Sequence, residues 1–354
     1  MNDTVSSEWL KQPIAPLNLD CEKAARDRQT QLTKPPGSLG RLEEMAIRLA
    51  AMQGTLSPYI ERVHIAIFAG DHGVAAEGVS AFPQSVTSEM IKNFANGGAA
   101  ISVLANAINA PLDLINMGTV HDTDSIEDVT NHHIGSGTAN FTFEPAMTEA
   151  QLAQSLSAGC DAVDCAQFAD AQLFIGGEMG IGNSTSATAL ACLLLNASPS
   201  HLTGAGTGLD SQGIAHKTSV IQRALDLHKP AATSPLEVLR RVGGFEIAAL
   251  AGAYIRCAQV GLPAVVDGFI ATVAALAAER IKPGIMDWHL FSHRSTEPGH
   301  HAVLNELNVT PYLDLGLHLG EGSGAATLVP LLQLACSLHN EMATFTEATV
   351  STSI

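Results

Sequence analysis

The 354-residue chain predicts an α/β protein: a mostly parallel sheet covered by helices on both faces. Three observations carry this. Strand-like and helix-like segments alternate along the chain, each strand-like run is continuously apolar rather than alternating, and glycines and acids recur where the runs end. Strands apolar on both faces belong to sheets covered on both sides, and open sheets of that kind bind ligands beyond the carboxyl ends of their strands.

Taken in order, residues 1–30 read as a polar helical arm, and "TKPPGSLGRLEE" (33–44) reads as a loop entering a helix. Pro35, Pro36 and Gly37 punctuate the loop, and Ser38 is the expected cap for a helix carrying Leu42, Met45 and Leu49. "RVHIAIFAGDHGV" (62–74) is a β-rich apolar run ending at Gly70 and Asp71, a buried strand passing into a loop. "APLDLINMG" (110–118) repeats the pattern, and the polar stretch 122–140 is expected to be a long loop or excursion. "AQLFIGGEMGIGNSTSATALACLLL" (171–195) supplies strand, glycine loop and helix. "GLPAVVDGFIATVAALAAE" (261–279) supplies a strand through Val266, a turn at Asp267–Gly268 and a long helix. "TPYLDLGLHLGEGSGAATLVPLLQLACSL" (310–338) closes the series and places Glu321 at a strand end, before a helix beginning near Ser323.

The net charge of −17 argues against nucleic acid and anionic membranes as partners, although backbone N–H groups still hold a small anion within a negative protein. Six scattered cysteines form no CxxC pair and have no histidine at metal-ligand spacing, so they are expected to be reduced structural thiols. The N-terminus lacks the basic and apolar regions of a signal peptide. The most apolar region, 247–278, is interrupted by Arg256 and Asp267 and does not read as a membrane span. A soluble cytoplasmic protein is the expectation.

Four segments carry candidate chemistry. In "GGEMGIGNSTSATAL" (176–190) Gly180 and Gly182 precede Asn183, Ser184 and Thr185, all good N-cap residues. A glycine loop entering a helix N-terminus suits an anion, and it also suits a plain tight turn with a capped helix. It matches neither the P-loop nor the dinucleotide fingerprint. "TGAGTGLDSQGIAHK" (203–217) adds Gly204, Gly206 and Lys217, either the rest of a phosphate cradle or a turn with a surface lysine. Asp71–His72 is more simply structural, because neighbours on a turn point apart, and the His-His pairs at 132–133 and 300–301 lack the carboxylate spacing of a metal site. Glu178, Asp267 and Glu321 fall at expected strand ends and would converge on one rim as ligands, catalytic groups or loop caps.

In combination, "TKPPGSLGRLE", "FAGDHGVAAEGVSAFPQSVT", "GGEMGIGNSTSATAL", "TGAGTGLD", "VDGF", "SHRSTEPGH" and "LGEGSGAA", in this order, resemble the nicotinate-nucleotide–dimethylbenzimidazole phosphoribosyltransferase family over residues 30 to 340. The resemblance implies a Rossmann-like three-layer α/β/α domain (31–334), a small helical domain from 1–30 and 335–354, and a homodimer. It implies transfer of the 5-phosphoribosyl group of nicotinate mononucleotide to a benzimidazole, with no cofactor or metal. Glu321 then matches the general base, and Glu178 the acid near ribose and leaving group. Gly180, Gly182, Asn183, Ser184, Thr185, Gly204, Gly206 and Lys217 match the phosphate site. Ser80, Phe82 and Gln84 flank the base pocket, with Met179, His318 and Leu319 as further candidates. Asn116 stands where the resemblance leads one to expect an acid, and the accepting base stays open. Two alternatives remain beside transfer: a nucleotide-binding homologue without activity, and a nicotinate-nucleotide hydrolase.

Overall fold

The computed structural model describes residues 7–351, so the first six residues of the expected N-terminal arm and the last three of the chain lie outside the described residues. Six parallel strands form one sheet: β1 (Val63–Gly70), β2 (Leu112–Gly118), β3 (Val129–Asn131), β4 (Leu173–Met179), β5 (Ala264–Val266) and β6 (His289–Phe291). Their order is β3-β2-β1-β4-β5-β6, the doubly wound Rossmann order, which reverses direction between β1 and β4. All eight residues of β1 and all three of β5 are buried, as their unbroken apolar runs require.

Helices cover both faces. A Cβ at Gly176 would meet Leu250 of the Phe245–Val260 helix, whereas one at the next residue, Gly177, would meet the backbone of Glu321. Successive strand residues point to opposite faces, so the two segments flank the sheet from opposite sides. Phe245–Val260 is apolar on nearly every side and is buried accordingly. It packs closely on the Glu149–Phe168 helix because Gly159 and Gly252 leave room for backbone, with a Cβ at either falling about 2 Å from a facing carbonyl oxygen (1.8 and 2.1 Å).

Several expectations change at the level of single residues. Segment 122–140 is not wholly irregular, because 129–131 adds β3 to the sheet edge beside β2. Asn116 makes that junction: its amide donates to Thr123 and Asn131 while its oxygen accepts the Gly118 N–H at 2.9 Å. A carboxylate there would have no donors to offer. Residues 310–320 form no strand and make only an isolated bridge between His293 and Leu313. The strand pairing with β5 is instead β6, in a segment without a clear β pattern.

Ser38 does not cap the following helix. Arg41–Gln53 begins after Gly40, which has a positive φ of 55° and makes no side-chain cap. The "TKPPGSLGRLE" motif acts at longer range. Lys34 and Glu43 form a buried ion pair of 2.8 Å, and Arg41 donates to the carbonyls of Thr310 (2.7 Å) and Pro311 and lies over the Tyr312 ring. The motif therefore anchors the irregular segment that leads to Glu321.

Candidate active site

A cleft of about 910 Å³ lies at the strands' carboxyl ends, over β4, β5 and β6 to one side of the order reversal. Glu178 at the end of β4, Asn183, Ser184, the 203–208 turn, Phe269, the 293–298 segment and Gly316–Gly320 line it.

One end is a cradle of small groups. The Asn183–Leu195 helix is preceded by Gly182, whose φ of 98° turns the chain into it, and no side chain caps the helix. Asn183, Ser184 and Thr185 are thus first-turn residues rather than caps, with three different tasks. Asn183 donates to the Glu178 carboxylate, Ser184 Oγ accepts from Lys217 Nζ at 2.9 Å, and Thr185 is buried. Lys217 is no surface lysine: it is 1% exposed and reaches the Gly204 carbonyl as well. Burial brings its ammonium down to about 8, against the opposing field of Glu297, so it stays mostly charged at neutral pH. A Cβ at Gly206 would sit 2.7 Å from Ser184 Oγ and 3.0 Å from Lys217 Nζ, so the bare backbone is what brings the turn onto the lysine. A helix N-terminus, a hydroxyl and a buried ammonium on one spot suit an anion.

The other end is acidic. Glu178 and Glu321 are nearly buried, and Asp267 fully so. Glu178 is held well above the ordinary carboxylate range by burial, then by the charges of Glu246, Asp267 and Glu321. Asp267 is also pushed up by burial, opposed by nearby His293 (3.8 Å) and by the backbone N–H groups it accepts from Gly322 (3.1 Å) and Ala325 (3.0 Å). It thereby caps the Ser323–Glu341 helix from a different strand. Glu321 is pushed up to about 7, mainly by burial, with the Ile101 N–H opposing and Asp267 assisting. Its Oε2 is buried without a hydrogen-bond partner.

Gly320, Glu321 and Gly322 have φ of 89°, 62° and 75°, three consecutive left-handed residues. The flanking glycines adopt this at no steric cost, whereas the glutamate is strained. They also clear protein rather than ligand: a Cβ at Gly320 would sit 2.5 Å from Glu178 Oε1, and one at Gly322 would press on Ile175. This loop binds Glu178 and Glu321 into one unit.

The cleft thus unites Glu178, Asn183, Ser184, Gly204, Gly206, Phe82, His318 and Leu319, the last three exposed at its mouth. Lys217 and Glu321 stand directly behind its lining. Ser80 holds the rim, its Oγ 3.2 Å from Thr207 Oγ1. Gln84 donates to the His72 carbonyl at 2.8 Å instead of facing the cleft, and Gly180 packs on the end of β1, with a Cβ there 2.3 Å from the Gly70 carbonyl. His72 is structural as expected, though its partner is Glu246 at 2.6 Å, both fully buried beneath the glycine loop, while Asp71 accepts the Val120 N–H. Sequence reasoning missed Glu246, whose only signal is a lone acid in an apolar helix. It also left Glu297 and His293 unassigned within "SHRSTEPGH". Among the described residues, the one grouping with metal-ligand spacing is Cys160, Asp161 and Asp164, on the Glu149–Phe168 helix and with Asp164 paired to Arg256.

Fold and cleft define a doubly wound α/β protein with a candidate ligand cleft over the carboxyl ends of β4, β5 and β6. A family model described as phosphoribosyltransferase matches residues 14–350, and the chain belongs to that family. Similar curated proteins are the nicotinate-nucleotide–dimethylbenzimidazole phosphoribosyltransferases of Azotobacter vinelandii (58% identical, covering 97% of this chain and 98% of theirs) and Xanthomonas oryzae pv. oryzae (57%, covering 98% and 99%). The crystal structure of CobT from Thermus thermophilus superposes with a TM-score of 0.90 at 43% identity, covering 94% of this chain and all of that one. No helix among the described residues is long and apolar enough to cross a membrane.

Proposed function

We propose that this cleft moves the 5-phosphoribosyl group of nicotinate mononucleotide onto 5,6-dimethylbenzimidazole or a related base. The products are α-ribazole 5′-phosphate and nicotinate, used in assembling the nucleotide loop of cobalamin. The observation that carries the reading is the pairing of a phosphate-sized cradle with a buried carboxylate, Glu321, that titrates near 7.

The chemistry follows from charge. Nicotinate leaves from a cationic pyridinium nitrogen, so its departure neutralises the ring and calls for no added proton. The attacking azole gains positive charge as it bonds to the anomeric carbon, which makes its other N–H acidic. Glu321 accepts that proton, and a base with a pKa close to the working pH is effective in this role. Glu178, oriented by Asn183, faces the ribose, while Ser184, Lys217 and the 203–208 turn hold the phosphate. Phe82, His318 and Leu319 offer flat and apolar contacts to the incoming ring. Gln84, Met179, Gly180, Gly182 and Thr185 support this arrangement from behind.

The same reading takes residues 1–30 and 335–354 as a small helical unit on the 31–334 domain. It is supported by Arg28, which donates to the His339 and Asn340 carbonyls across the termini. It also includes a homodimer in the cytoplasm, which light scattering and cell fractionation test. Nicotinate release measured with and without an azole acceptor tests the reaction: release that requires the azole is expected, and release independent of it identifies a hydrolase. A panel of dimethylbenzimidazole, benzimidazole, adenine and phenols then ranks the acceptors.

A further inference from the structure

Glu297 lines the cleft immediately before the Pro298–Glu306 helix, yet its side chain does not cap that helix. The carboxylate turns to the cradle instead. Oε1 accepts the Gly206 N–H at 3.0 Å, and Oε2 packs against Gly204, where a Cβ would fall 1.9 Å from it. Its backbone is held in place: the Glu297 N–H reaches Ser295 Oγ at 3.4 Å, and the Thr296 N–H reaches the Leu317 carbonyl at 3.3 Å. Glu297 also helps keep the buried Lys217 ammonium charged.

A carboxylate beside a phosphate cradle needs a reason, because like charges oppose binding. The Gly206 contact does not supply one, since a neutral amide oxygen accepts an N–H equally well, and the field at Lys217 accounts for the charge but not for a carboxylate that also lines the cleft. What a carboxylate adds is a strong acceptor for hydroxyl donors, and a 5′-nucleotide carries two of them within one sugar ring of its phosphate. An acid bonded to a ribose hydroxyl near a phosphate loop is also how dinucleotide folds select their ligand. We infer that Glu297 accepts hydrogen bonds from the ribose hydroxyls of the nucleotide and makes the site selective for a ribonucleotide. The inference rests on the reading that Lys217 and Ser184 hold the 5′-phosphate.

Calorimetry on the full chain tests it, with nicotinate mononucleotide, its 2′-deoxy and 3′-deoxy analogues, and inorganic phosphate as probes. The native protein should bind the ribonucleotide about 10–100-fold more tightly than at least one deoxy analogue, the range of a hydrogen bond to a charged group. Glu297→Gln keeps the Gly206 contact. It should lose most of that ratio by weakening the ribonucleotide more than either deoxy analogue; any loss of phosphate affinity from the weaker support of Lys217 is common to every probe and leaves the ratio unaffected. Equal native affinity for the ribonucleotide and both deoxy analogues overturns the inference whether or not the variant folds. So does a Glu297→Gln variant that binds phosphate and ribonucleotide more tightly together, which would make Glu297 a mere competitor for the phosphate donors. Lys217→Ala separates the two readings. If it leaves phosphate and nucleotide affinity untouched, the phosphate site is misplaced and both fail; if it weakens every probe while the ribo-to-deoxy ratio is absent, only the role of Glu297 falls.

Discussion

At the cradle end of the cleft a buried lysine has a carboxylate, Glu297, within its field; at the acid end Glu178, Asp267 and Glu321 are all raised mainly by burial, with neighbouring carboxylates adding to the shift of Glu178 and Glu321. Lys217 therefore keeps its charge near neutral pH and suits a dianion. Burial instead raises the pKa of the acids, and Glu321, at about 7, is placed to accept a proton near neutral pH. A second contrast lies within the acid end. Asp267 accepts backbone N–H groups from the start of a helix and serves the fold, whereas Glu321, two residues before that helix begins, keeps an oxygen with no partner. Both carboxylates are buried, and the number of donors around each separates a structural acid from a chemical one.

The largest expected effect removes the chemical acid. Glu321→Gln should lower kcat by about 10²–10⁴-fold, the usual range for a general base, and leave the KM for the nucleotide unchanged. Near-normal turnover in a steady-state assay would end the assignment. At the opposite end, Lys217→Ala removes a charge-assisted contact to phosphate and should raise the nucleotide KM about 10–100-fold, with a smaller change in kcat. An unchanged KM would break the contrast between the two ends.

The pH profile comes next. Glu321 acts as a base only when ionised, so with a pKa of about 7 in the fold, kcat should fall below pH 7, approaching tenfold per unit. A plateau down to pH 5 would show an ordinary carboxylate there. Stability runs the opposite way: the native site holds this proton more tightly than the unfolded chain, so the group's stabilising effect is full below pH 4.5 and is lost as pH rises through 7. Melting curves of native protein and Glu321→Gln, compared at pH 5 and 8, read that difference. The smallest effect is Asp267→Asn, which removes the weakest of the named influences on Glu321 and should move the kinetic midpoint slightly down. It should also cost about 1–3 kcal/mol through the capping bonds to Gly322 and Ala325.

Much of the fold was legible in the sequence. The apolar runs at 63–70, 112–118, 173–179 and 264–266 are all strands, because continuous burial on both faces leaves a mark that needs no context. β3 and β6, three residues each, are too short to show a period, and their pairing depends on neighbours supplied from elsewhere. The strand expected before Glu321 failed for the converse reason: "YLDLGLHL" alternates well, but its place beside β5 is taken by β6. Asn183, Ser184 and Thr185 are good cap types at a helix start, yet Gly182 performs the turn and frees them for Glu178, Lys217 and the core.

By itself the sequence determined the doubly covered sheet, the glycine loops at strand ends and the order of motifs that marks the family, because hydrophobic period and glycine placement are local properties. Tertiary structure decided which acids ionise and which lysine is buried. It also decided that the glycines beside Glu321 make room for Glu178 and β4, and that Glu297 turns away from its own helix toward Gly206. Charge state and hydrogen-bond partnership depend on what else occupies a few ångströms of space, and residues from five or more separate segments meet there only once the chain has folded.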